Sequence, residues 1–151
     1  MRVLFLDCDG VLNNRDSWNT IYDTEIYYSC HVLNRDLVER LIKIVKDTDC
    51  KVVLSSTWRI LDRGVPFLKN NGIDIFDSTD KEYGTRGTQI ARWLAKHPEV
   101  STYAIVDDDD DMLDSQLKHF FQTDIEHGLT ESVAYRITYW LTRYDKEISK
   151  N

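Results

Sequence analysis

Three short apolar runs in this chain each stop at a residue capable of chemistry. Val3-Leu4-Phe5-Leu6 runs into Asp7-Cys8-Asp9-Gly10, Val52-Val53-Leu54 runs into Ser55, and Ala104-Ile105-Val106 runs into five aspartates, Asp107 to Asp111. Runs that are apolar throughout, instead of alternating, read as parallel strands buried on both faces. Helical spacing lies between them. Leu37, Val38, Leu41, Ile42 and Val45 share one face behind a candidate cap at Asn34. A short helix is predicted from Pro66 to Asn71-Gly72, and Ile90, Trp93 and Leu94 mark another that Pro98 ends. Ile73–Phe76 and His119–Gln122 read as two further strands. Thr130 is placed to cap a last helix carrying Val133, Ile137, Trp140, Leu141 and Tyr144. Strands alternating with helices predict an α/β fold, a central parallel sheet flanked by helices. In such sheets ligands bind beyond the carboxyl ends of the strands, so all three reactive clusters are expected along one edge.

Size and composition narrow the classes. The 151 residues suit a single domain, and a 42% hydrophobic share is enough to build a core. Nineteen basic against 26 acidic residues give a net charge of −7, which argues against a generic nucleic-acid coat. The three cysteines, Cys8, Cys30 and Cys50, are odd in number and lack CxxC spacing. That pattern suits a reduced, cytoplasmic setting better than a disulfide framework or zinc cluster. The apolar run at Val3–Leu6 is far too short for a signal peptide or membrane span. No G-x-x-x-x-G-K-[ST] string marks a P-loop, and no G-x-S-x-G string would make Ser55 a hydrolase nucleophile.

Facing carboxylates raise one another's pKa unless a cation joins them. An all-oxygen cluster calls for a hard divalent cation, most simply Mg2+. The four histidines, His31, His97, His119 and His127, offer no metal-site spacing as an alternative.

At these residues the chain resembles the haloacid dehalogenase-like (HAD) phosphohydrolases. D-C-D-G-V-L-N at 7–13 is similar to their first motif and L-S-S-T-W-R at 54–59 to their second. Arg86 stands where the family places its third-motif Lys or Arg, and I-V-D-D-D-D-D-M at 105–112 looks like the fourth, acidic motif. Together with R-G-T-Q-I at 86–90, these strings resemble a narrower branch. That branch is the small HAD domain of Swiss Army Knife RNA-repair proteins and related stand-alone and phage-type proteins.

The resemblance implies a Rossmann-like HAD fold and a role for each matching residue. Asp7 would be the nucleophile, forming an aspartyl-phosphate. Asp9 would protonate the leaving alcohol and then activate water. Ser55 would bind a phosphoryl oxygen, and Arg86 would neutralise charge on nucleophile and phosphate. Many family members use Lys at that place; Arg supplies a fork of donors suited to an oxyanion. The expected metal ligands are Asp7, Asp9 through its backbone carbonyl, Asp108 first in the acidic run and Asp107 second, with Asp111 on a metal-bound water. Asp109 and Asp110 read as plain surface. Ser56 is a candidate substrate contact, although a turn or cap role suits it better. Arg59 stands between a substrate-phosphate contact and a structural ion pair. Trp58 reads as packing, Cys8 as core, and Asn13 as ordering the loop after Asp7.

The stretch between the first motif and the Asn34 helix is too short for a full cap domain. A short flap over about 13–33 in a single domain of 1–151 is expected, and an open site favours a large substrate. Trp18, Tyr22, Tyr27 and Tyr28 could stack on a base or pack the flap. The reading is therefore a Mg2+-dependent phosphomonoester hydrolase acting on an RNA or DNA terminal phosphate, with no membrane partner. The alternatives are a nucleotidase or small-molecule phosphatase, a phosphotransferase, and a non-catalytic phosphate-binding module. Asp7, Asp9 and Asp107–Asp111 are seven carboxylates, so they account for the whole net charge of −7. The acidity is thus local and weighs less against a nucleic-acid substrate than the bare number suggests.

Overall fold

The computed structural model describes residues 1–19 and 32–148. Five parallel strands form one sheet: β1 Arg2–Leu6, β2 Lys51–Leu54, β3 Ile75–Ser78, β4 Thr102–Asp107 and β5 Phe120–Gln122. Their order across the sheet is β3-β2-β1-β4-β5. The helices are α1 Arg15–Asn19, α2 Arg35–Thr48, α3 Gly64–Asn70, α4 Arg86–Ala95 and α5 Glu131–Ile148. This is the α/β architecture expected from the apolar runs, in the Rossmann-like form that the resemblance implies.

Period-two geometry explains why those runs are apolar throughout. Leu4, Leu6, Val52, Leu54, Ala104 and Val106 face one side, packed with Leu41 and Ile44 of α2 and Ile137 and Leu141 of α5. Val3, Phe5, Val53 and Ile105 face the other, against Ile90 and Trp93 of α4. The expected caps form. The Asn34 side chain accepts from the Asp36 and Leu37 N–H groups, and Thr130 Oγ1 accepts from the Val133 N–H at 3.2 Å.

Three boundaries differ from the sequence reading. The third strand begins at Ile75, not Ile73, because the Ile73 N–H is spent on the Leu68 carbonyl at the end of α3. α3 begins two residues before Pro66, which falls in the first turn, where a missing N–H costs nothing. His119 closes a 3-10 segment, Asp114–His119, and is not part of β5. Most of the expected flap, with Tyr22, Tyr27, Tyr28, Cys30 and His31, lies outside the described residues; α1 supplies a helical turn at its start. Among the described residues no helix is long and apolar enough to cross a membrane.

Candidate active site

Register brings the strand-end residues into a row. Leu6 pairs with Leu54 on one side and Val106 on the other, so Asp7, Ser55 and Asp107 follow side by side. Leu54 pairs in turn with Ser78, which adds Thr79. The row is pinned by its backbone. The Asp7 N–H donates to the Val106 carbonyl at 3.1 Å, Ser55 to Leu6 at 3.0 Å, and Thr79 to Leu54 at 3.0 Å. Beyond Asp7 the chain turns back, with the N–H groups of Val11 and Leu12 donating to the Cys8 carbonyl. Gly10 makes the turn at φ +78°, and a Cβ there would lie 2.5 Å from Asp108 Oδ2. Only glycine allows both the left-handed backbone and that close approach.

One carboxylate oxygen from each of Asp7, Asp107 and Asp108 lies within 4.8 Å of the others. Asp7 and Asp107 are buried, and Asp108 is half-buried. Burial, and then the nearby Asp107 charge, push the Asp7 carboxyl up to about 8 against the pull of Arg86. Burial likewise raises Asp107 to about 6, again opposed by Arg86. The guanidinium of Arg86 reaches both, with Nη1 3.2 Å from Asp7 Oδ1 and 3.5 Å from Asp107 Oδ2. One fixed positive charge does not balance three converging carboxylates. Asp107 Oδ2 is buried without a hydrogen-bond donor. An all-oxygen trio with an orphaned oxygen fits a hard divalent cation.

Arg86 is aimed from the first turn of α4. Its backbone N–H donates to Asp111 Oδ2 at 3.0 Å, and the Gly87 N–H donates to the Asp111 carbonyl at 3.2 Å. A Cβ on Gly87 would lie 2.7 Å from the Leu113 nitrogen, so glycine lets the helix end press against the acidic loop. Asp111 thus ties the loop to α4 through Oδ2, and its Oδ1 is buried and unpartnered. Asp109 and Asp110 are exposed, as read from sequence.

The remaining sequence candidates divide. Ser55 is fully buried and its Oγ has no partner, leaving a donor aimed at nothing in the protein. Arg59 is engaged by the protein itself. Its Nη1 donates to the carbonyls of Ser55 and Ser56, its Nε to that of Asp80, and its Nη2 to the Asp80 carbonyl and Gln89 Oε1. A guanidinium has five donors, and all are taken. Ser56 takes the cap role that suited it better. Its hydroxyl caps the following 3-10 turn by accepting from the Trp58 N–H at 3.2 Å. The Asp9 carboxylate does not join the acidic trio. It accepts from Trp58 Nε1 at 3.2 Å and Asn13 Nδ2 at 3.0 Å.

Two residues escaped sequence reasoning. The indole of Trp58 is more than packing, because its N–H reaches Asp9. Thr79 is buried at the end of β3 with its hydroxyl unpartnered. The signal for Thr79 was its place one residue past a strand, hidden because that strand was set two residues too early. The four buried side-chain oxygens without a partner among the described residues belong to Ser55, Thr79, Asp107 and Asp111. All four lie at the carboxyl edge of the sheet. Such atoms are costly unless a ligand completes them.

A family model described as "HAD domain in Swiss Army Knife RNA repair proteins" matches residues 3–134. No curated protein and no solved structure matches the chain.

Proposed function

The chain belongs to the family of HAD domains in Swiss Army Knife RNA repair proteins, and we propose that it is a Mg2+-dependent phosphomonoesterase acting on polynucleotide terminal phosphates. The observation that carries the reading is the row Ser55–Asp7–Asp107, with Ser55 Oγ and Asp107 Oδ2 lacking hydrogen-bond partners and Arg86 reaching both aspartates. Asp7, Asp107 and Asp108 would hold the cation, together with the backbone carbonyl of Asp9. When bound, the cation supplies the positive charge that allows Asp7 to ionise and offsets charge on the phosphoryl oxygens.

The chain's own groups then do the following. Asp7 attacks phosphorus through one carboxylate oxygen, forming an aspartyl-phosphate as the bond to the leaving oxygen breaks. Asp9 gives that oxygen its proton, and the alcohol leaves. In the second half, Asp9 takes a proton from water, whose oxygen attacks phosphorus and frees Asp7 and inorganic phosphate. The Ser55 hydroxyl donates to one phosphoryl oxygen throughout. Arg86 lies beside the nucleophile with a planar fork matched to the others. What supports the substrate class is the likeness to the RNA-repair family and a connection between β1 and α2 too short for a cap domain.

The test is phosphate release, with Mg2+, from 5′- and 3′-phosphorylated RNA and DNA oligomers compared with mononucleotides. Preference for an oligomer end supports the reading. Preference for mononucleotides would move the substrate to a nucleotide while leaving the chemistry in place, and no release from any would remove the phosphatase.

A further inference from the structure

Both oxygens of the Asp9 carboxylate are held by neutral N–H donors from different parts of the chain. Trp58, which donates to Oδ2, is 1% exposed, and Asn13, which donates to Oδ1, is fully buried. Asn13 is itself saturated. Its Oδ1 accepts from the Gly10 N–H at 2.8 Å and from Trp18 Nε1 at 3.2 Å, while Nδ2 also donates to the Val32 carbonyl at 2.9 Å. An amide side chain makes at most about four hydrogen bonds, and these are four, so it cannot turn without breaking the set. Trp58 is equally fixed, with its backbone N–H on Ser56 Oγ and its ring against Phe67. Rotation of the Asp9 carboxylate is therefore blocked at both oxygens. The donors are uncharged, so they orient the group without placing another cation beside the phosphate.

We propose that Trp58 and Asn13 are positioning residues that aim Asp9 at the leaving-group oxygen. Trp18, on α1, extends this network by donating to Asn13. The inference rests on the reading of Asp9 as acid and base. In the step concerned, the phosphorus–oxygen bond gives its electron pair to the leaving oxygen, and that oxygen takes the proton from Asp9. Misaiming Asp9 hurts this step only where the leaving group needs the proton. An alkoxide needs it; p-nitrophenolate departs as a stable anion.

The experiment compares kcat/KM for glycerol phosphate and p-nitrophenyl phosphate, because this ratio reports steps up to leaving-group departure. Trp58→Phe keeps an aromatic ring at the position and removes the N–H. It should lower the glycerol phosphate value by about 10- to 100-fold more than the p-nitrophenyl phosphate value, as general acid catalysis contributes in that range. Trp18→Phe, in a half-buried residue, should bias the two substrates in the same direction by a smaller factor, and it serves if Trp58→Phe does not fold. Equal losses on both substrates in these variants would show a merely structural role and overturn the inference alone. Failure of the unmodified protein to hydrolyse these two substrates and every phosphorylated oligomer and mononucleotide would overturn it together with the phosphatase reading.

Discussion

At the carboxyl end of β4 stands Asp107; near the amino end stands Tyr103. Around Tyr103 every device for satisfying polar groups is in use. Its carbonyl accepts from Trp140 Nε1 and pairs with His119 Nδ1, each at 2.9 Å, and the His119 ring stacks on the Tyr103 ring at 3.8 Å. Arg143 lies over Trp140, 3.6 Å from the ring centroid, and donates to Thr102 Oγ1 at 3.0 Å. A cavity of about 420 Å³ opens there with no carboxylate in its lining. Around Asp107 the reverse holds, with carboxylates converging on one another and buried hydroxyls unpartnered. One end of the sheet is completed by the protein itself. The other is left incomplete, at a cost to stability, which is what the proposed cation and phosphate site requires.

That contrast can be broken experimentally. The largest effect is expected from Asp7→Asn, which should lower kcat by about a thousandfold or more, since the attacking group is gone. It should also raise the melting temperature of the metal-free protein, by removing a carboxyl that burial and its acidic neighbours hold away from ionising. Full activity in this variant would end the nucleophile assignment.

Next comes pH. Asp7 and Asp107 are raised above the ordinary carboxylate value, to about 8 and about 6. The folded chain therefore binds more protons than the unfolded chain between about pH 4 and about 8. Stability from these groups is full below that window and is lost as pH rises through it. Thermal melts of the metal-free protein should fall across the window, and added Mg2+ should recover more at its upper end, where the carboxylates ionise. A flat profile would mean that the acidic trio is not electrostatically strained.

Arg59→Lys probes a residue that lies at the carboxyl edge yet is fully used by the protein. Losing the fork strands carbonyl acceptors and should cost about 2 kcal/mol in denaturant unfolding, with KM for any phosphomonoester changed by less than about twofold. A raised KM with unchanged stability would return Arg59 to the substrate. The smallest effect is expected at the amino end. Arg143→Ala should cost about 1 kcal/mol through the lost ring contact and leave kcat/KM within about twofold. A large loss of activity there would show that the two ends are coupled.

The order of motifs, the parallel sheet and the edge that gathers the acidic cluster were legible in the chain, because each rests on a local pattern. An apolar strand must be buried, and a parallel strand must end on the same edge as its neighbours. The same logic exposed Asp7, Ser55 and the acidic run. The choice among five aspartates was not legible, since period and spacing treat them alike. Only packing buries Asp107, turns Asp108 toward Gly10, ties Asp111 to α4 and leaves Asp109 and Asp110 in solvent. Arg59 and Trp58 were undecidable for a related reason. A guanidinium or an indole N–H reaches whatever lies within about 3 Å, and their partners Asp80 and Asp9 stand 21 and 49 residues away. Local sequence determined which groups reach the edge of the sheet. Tertiary structure decided which of them the protein satisfies and which it leaves for a ligand, because hydrogen-bond partners are set by proximity in space, not along the chain.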